Sequence, residues 1–395
     1  MFFKSKPNKS VKLPSFNEAS NLNNDPWAIV FLSYIISLSA LPSLSLRVVF
    51  YALILILLIY VAVFRNLTIK LDWFFALLLY MLMLSGFLAI RGNSTLLLET
   101  INIGSSLILV ALTSVFGVNR RSIVIATTII LVIYLIREPQ ILIHLKWIFI
   151  DYQNYNILFV NTSHSLTFLM LIMAVYFMLL GKAKYMLLIL IVSLPFVSRS
   201  GLLAFSIVAI LFYLKNYIPP LIIRFLPVLL ILVVLVVIFI IGIFFPQDAL
   251  FIKLSTMRSI FYEVITNDIM NRGIDIAFPK YAGYTSETLT QQVKYYFNSE
   301  TPYYSQFLRV SNKGCVHSYF LEILSDYGAI FFVLMLFFFY KMTNLTNMYV
   351  TIFYIIFVSF QCGGFNPALI FPFYIFYYLS TRLSNHESNF TGYKE

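Results

Sequence analysis

Residues 317–328 read His-Ser-Tyr-Phe-Leu-Glu-Ile-Leu-Ser-Asp-Tyr-Gly, so one imidazole and two carboxylates run into a purely apolar stretch. A neutral imidazole near pH 7 can take a proton from a hydroxyl, and a nearby carboxylate can fix its tautomer. His317 and Glu322 are therefore candidates for catalysis, with Tyr319 and Asp326 as candidate substrate contacts. Two arginines in other segments supply the complementary charge, Arg199 in "VSRSGLLAF" and Arg258 in "TMRSIFYEV". A guanidinium presents a planar donor fork that matches two phosphate oxygens at once, which suits a diphosphate. Arg272, Lys280, Lys294, Arg309 and Lys313 extend the basic character towards His317.

Each of these residues also has a plainer reading. A lone histidine is more often packed or capping, as His144, His164 and His386 illustrate. An arginine at a helix end commonly snorkels to lipid headgroups. Basic residues in a long polar connection are usually solvated. Asp326 fits a structural ion pair as well as a site. What lifts His317 is its company: an outward position, an adjacent helix and basic groups on both sides. An ionised acid deep in a membrane helix costs about 2.5–3.5 kcal/mol on insertion scales. Glu322 and Asp326 should accordingly face protein.

Missing motifs narrow the chemistry. The chain has no Asp-x-Asp, His-x-x-x-His, Cys-x-x-Cys or phosphate-binding glycine loop, no dinucleotide fingerprint and no hydrolase elbow. Its 16 acids are spread thinly, so a divalent-metal site is hard to assemble. The expectation is chemistry without metal or cofactor.

The elements that must position these groups follow from composition. Of 395 residues, 61% are hydrophobic and 11% charged, and mean hydropathy is +0.88. Soluble domains carry about 25% charged residues. Runs such as "VVFYALILILLIYVAVF" and "FLPVLLILVVLVVIFIIGIFF" approach or reach the roughly 20 apolar residues of a spanning helix. This predicts an all-α polytopic membrane protein. The net charge of +11 is then a matter of cytoplasmic loops and anionic lipid, with no nucleic acid implied. Two cysteines, Cys315 and Cys362, are too few for a disulfide framework.

About twelve spans are expected, near 27–46, 48–64, 73–90, 101–118, 122–136, 165–181, 185–197, 201–214, 225–245, 318–340, 346–361 and 367–380. Residues 1–26 read as a retained cytoplasmic tail and 381–395 as a second one. Residues 27–245 then hold spans one to nine, with an outer-face connection at 137–164. Residues 317–380 hold spans ten to twelve. Arg65, Lys70, Arg120, Arg121, Lys182, Lys184, Lys215, Arg224 and Lys341 fall on one side, which makes that side cytoplasmic. On the other side lies the one long polar connection, 246–316, rich in Tyr, Asn and Thr and part-helical. Connections of that length without disorder-type composition are usually functional. As a helix, 318–340 would stack Ser318, Glu322 and Asp326 at i, i+4 and i+8.

The segment His317-Ser318-x-x-Leu321-Glu322-x-Leu324-x-Asp326-x-Gly328 resembles the signature of the O-antigen polymerase and ligase superfamily. "VSRSGLLAF" and "TMRSIFYEV" resemble two further landmarks of that family, and "NILFVNTSHSLTFLMLI" resembles its short polar loop leading into a mid-chain span. They occur in the family's order over roughly residues 155 to 340. A glycine usually found after the loop arginine has only Gly273 as its counterpart, and "AIFF" follows Gly328 where a second glycine is common.

The resemblance implies a GT-C-like fold in the bacterial inner membrane, with both termini cytoplasmic and the loop at 246–316 periplasmic. It implies a metal-independent glycosyltransferase whose donor is an undecaprenyl-pyrophosphate-linked oligosaccharide. Arg199 and Arg258 would hold the leaving pyrophosphate, and His317 would deprotonate the acceptor hydroxyl with Glu322 orienting it. Arg272, Arg309, Lys313, Tyr319 and Asp326 would line the substrate path. Polymerisation of repeat units is the favoured activity, and ligation to lipid A–core is the alternative. Such a reading brings membrane lipid, a chain-length-determining co-polymerase and a flippase as partners. A lipid-linked oligosaccharide flippase or other transporter is the rival from another class.

Overall fold

The computed structural model describes residues 73–90, 158–193, 198–214, 219–244, 258–280, 318–344 and 347–360 as continuous segments, with single positions elsewhere. Those segments contain helices and no strand. They form α1 (Trp73–Ile90), α2 (Leu158–Leu179), α3 (Ala183–Ser193), α4 (Arg199–Tyr213), α5 (Pro220–Phe244) and α6 (Arg258–Arg272). A 3-10 turn, Gly273–Ala277, follows α6. Then come α7 (Tyr319–Glu322), a π-helical turn (Ile323–Tyr327), α8 (Gly328–Met342) and α9 (Met348–Ser359).

Two helical stretches, 222–244 and 319–342, are long and apolar enough to cross a membrane. They sit differently. Only 28% of the most apolar part of the first is buried, against 56% for the second. Phe225, Leu229, Val236 and Ile240 of α5 are exposed and follow a 3.6-residue rhythm, as on a lipid-facing surface. Pro220 occupies the first position of α5, where no hydrogen bond is lost, while Pro227 removes one inside it.

The core is built around α9, all twelve residues of which are buried. It packs on α2, α4 and α5. Phe168 of α2 meets Phe353, Tyr354 and Phe357 with ring centroids 5.5, 6.0 and 4.9 Å away. Tyr354 also stacks on Phe373 at 4.3 Å. Polar residues within α9 are satisfied along the helix: Thr351 donates to the Asn347 carbonyl at 3.1 Å and Ser359 to that of Ile355 at 2.7 Å. The turn from α8 into α9 is closed by a reciprocal pair. Asn344 N–H donates to Asn347 Oδ1 (2.8 Å), and Asn347 N–H donates to Asn344 Oδ1 (3.0 Å).

Helix positions follow the apolar runs with three departures. α2 begins at Leu158, inside the connection expected at 137–164, because backbone hydrogen bonding continues through the polar Asn161-Thr162-Ser163. Arg199 and Ser200, expected between the spans 185–197 and 201–214, form the first turn of α4. The stretch 318–340 is interrupted, as described below. The expected spans at 27–46, 48–64, 101–118, 122–136 and 367–380 lie outside the described segments, apart from single positions.

Candidate functional site

Ser198 caps α4 by accepting a hydrogen bond from Gly201 N–H at 3.1 Å, and its hydroxyl lies 3.2 Å from that of Ser200. Arg199 is the first helical residue. Gly201 packs closely on α2, since a Cβ there would come within 2.8 Å of the side-chain methyl groups of both Thr167 and Leu171. "SRSG" is thus a capped helix start pressed against α2. The Arg199 side chain lies outside the described positions.

Arg258 opens α6 in the same way, and its side chain is also outside the described positions. α6 docks on α5 at very close range. A Cβ on Gly242 would lie 2.8 Å from the Tyr262 carbonyl oxygen and 2.9 Å from Thr266 Oγ1. Ser259, Phe261, Tyr262, Val264, Ile265 and Thr266 are buried. Glu263 shares this face of the helix, and its Oε2 has no hydrogen-bond partner among the described residues. Burial pushes its carboxyl above the ordinary value of 4.5.

The acidic segment starts as an α-helix, with Glu322 N–H donating to the Ser318 carbonyl at 3.0 Å. Tyr319 is buried, Glu322 is half-buried and Asp326 is 1% exposed. The chain then widens into the π-helical turn and breaks at Gly328, whose φ of +85° favours glycine. The α-helical register of Ser318 and Glu322 therefore does not carry on to Asp326. A Cβ on Gly328 would also meet the Phe278 backbone at 2.7 Å and the Ala277 carbonyl oxygen at 2.8 Å.

A break of this kind frees carbonyls from the helix ladder, and buried carbonyls need donors. Side chains and backbone from far away supply them. Arg272 donates to the Ser325 carbonyl, and its other terminal nitrogen reaches the carbonyls of Asp275 (3.1 Å) and Phe278 (2.8 Å). Lys280 N–H donates to the Asp326 carbonyl at 2.8 Å. Tyr80 of α1 donates to the Tyr327 carbonyl at 3.4 Å. Asp268 ties the two segments together, accepting from Lys280 Nζ at 3.0 Å and from Ser325 Oγ at 3.2 Å.

The structure thus brings the helix opened by Arg258 against the segment holding Tyr319, Glu322 and Asp326. Arg272 stands between them and serves three carbonyls. His317, Arg309 and Lys313 lie outside the described residues. Sequence reasoning missed Asp268, Ser325 and Tyr80. Asp268 offered one signal, its place four residues before Arg272 on a helix, whereas Ser325 and Tyr80 offered none.

No family model matches the chain, and no curated protein or solved structure is significantly similar to it.

Proposed function

We propose that the chain is a membrane glycosyltransferase that polymerises undecaprenyl-pyrophosphate-linked oligosaccharide repeat units into a surface polysaccharide. The proposal includes about twelve spans in a GT-C-like arrangement in the bacterial inner membrane, with the loop at 246–316 on the periplasmic side. In the reaction, an acceptor sugar hydroxyl bonds to the anomeric carbon of the donor. The bond from that carbon to the pyrophosphate oxygen breaks. His317 takes the hydroxyl proton, and Glu322 holds the imidazole in the tautomer that can accept it. Arg199 and Arg258 stabilise the charge growing on the departing lipid pyrophosphate, and donors aimed at developing charge are usually the largest catalytic contribution.

The observation that carries this reading is that the helix beginning in the Arg258 landmark runs, at its far end, onto the segment that resembles the acidic landmark. The helix opened by Arg258 ends in Arg272, which donates to Ser325, three residues beyond Glu322. A substrate could reach a loop cation and the acidic helix together only if these segments are neighbours.

A second reading, transport of a lipid-linked oligosaccharide, draws on the break at Gly328, since interrupted helices mark many transporter sites. In transporters such breaks present free backbone groups to a substrate. Here the carbonyls of Ser325, Asp326 and Tyr327 already accept from Arg272, Lys280 and Tyr80, which favours an anchoring role for the break.

Purified protein in proteoliposomes, given the cognate undecaprenyl-pyrophosphate repeat unit in EDTA, should produce a ladder of longer lipid-linked glycans. His317→Ala should abolish the ladder while the protein stays inserted and folded. Near-normal activity of that variant would remove the general-base assignment. Product on added lipid A–core alone would mean a ligase, and no product with either acceptor would favour transport.

A further inference from the structure

A connected polar cluster lies beside the candidate acids. Asp268 Oδ2 takes both the Lys280 ammonium at 3.0 Å and the Ser325 hydroxyl at 3.2 Å. The side chains of this ion pair are only 18% and 17% exposed, so water screens them less than a surface pair. Lys280 also gives its backbone N–H to the carbonyl of Asp326. The polypeptide from Asp268 to Lys280 therefore closes around the π-helical turn as a bracket, with Arg272 at its centre and the Phe278 backbone against Gly328.

The geometry points to Asp268, Lys280 and Ser325 as positioning residues that set the helix opened by Arg258 against the segment carrying Glu322. This rests on the glycosyl-transfer reading above. Asp268 lies on α6, the helix that Arg258 begins. Ser325 lies three residues beyond Glu322 and next to Asp326. Relaxing the bracket would let the loop cation and the acidic helix drift apart, and a misplacement of about 1 Å can cost on the order of 10²-fold in rate. Asp268, Lys280 and Ser325 act by holding the segments that meet the substrate.

The test uses the full-length chain in nanodiscs, with Cys315 and Cys362 replaced by serine and spin labels at M270C and I330C. Both labelled positions are exposed, at 60% and 44%. The labelled parent should give one narrow distance distribution, and D268N/K280M should broaden it. In transfer assays the double variant should lose on the order of 10²-fold in kcat with KM for the donor unchanged. The single variants D268N and K280M should each cost about as much as the pair, because one unit is broken either way. Lys280→Arg should keep the distribution and most of kcat. If D268N/K280M fails to fold, Ser325→Ala against Lys280→Arg makes the same comparison.

An unchanged distance distribution would overturn the bracket. A broadened distribution with full kcat would overturn the positioning role. An inactive parent would sink the transfer reading and the catalytic half of this inference with it, while the distances would still decide whether the bracket exists.

Discussion

A carboxyl group that loses water is easier to bury protonated, and Glu263, whose Oε2 has no partner among the described residues, is in that position. Its raised pKa has a definite sign in stability. Below the ordinary value of 4.5, folded and unfolded chains both hold the proton and pH has no effect through this group. Above it the unfolded chain ionises first, so stability falls until the folded carboxyl ionises as well. Glu263→Gln should therefore melt at the same temperature as the parent at acid pH and at a higher one as pH rises. Paired melting curves from pH 4 upward in one detergent, on the order of one pH unit apart, would check this. A constant offset at all pH values would show that the carboxyl ionises alike in both states.

Among the elements, α6 matters because it is held along its length: Gly242 of α5 packs under Tyr262 and Thr266, and the bracket grips its far end. Gly242→Val should destabilise the protein by about 1–3 kcal/mol, the usual cost of forcing bulk into a packed contact. A lowered melting temperature would register that cost, and an unchanged one would mean that α5 and α6 separate easily. Among the described segments, much of the helical layout was legible in the sequence. Apolar runs predicted 73–90 and 225–245, and helices stand at Trp73–Ile90 and Pro220–Phe244. The interruption at Ile323–Tyr327 was not legible, because "ILSDY" carries no breaking residue before Gly328. Its cause is non-local. The groups that compensate the turn come from Arg272, Asp268 and Tyr80, which lie 53, 57 and 247 positions away from their partners. Local periodicity cannot report donors at that separation. In the site, the types of the candidate residues were readable, but the carbonyls that Arg272 serves were not, since backbone acceptors carry no sequence mark.

For the whole molecule, the orientation proposed from the asymmetry of Lys and Arg can be tested chemically. In a cysteine-free background, a cysteine replacing Tyr284 in the large loop should react with an impermeant maleimide added outside intact spheroplasts. A cysteine replacing Lys215 should react only after lysis. The opposite pattern would invert the topology and move the loop to the cytoplasmic side. The wrapped helix Met348–Ser359 has a further consequence, one of timing. In the proposed membrane arrangement its neighbours α2, α4 and α5 are translated before it, so Phe168 waits in the bilayer for Phe353, Tyr354 and Phe357 to arrive. Until then the earlier helices have only lipid, or the insertion machinery, to occupy their centre. Synthesis stalled just before residue 348 would leave a loose ring of helices open to quality-control proteases.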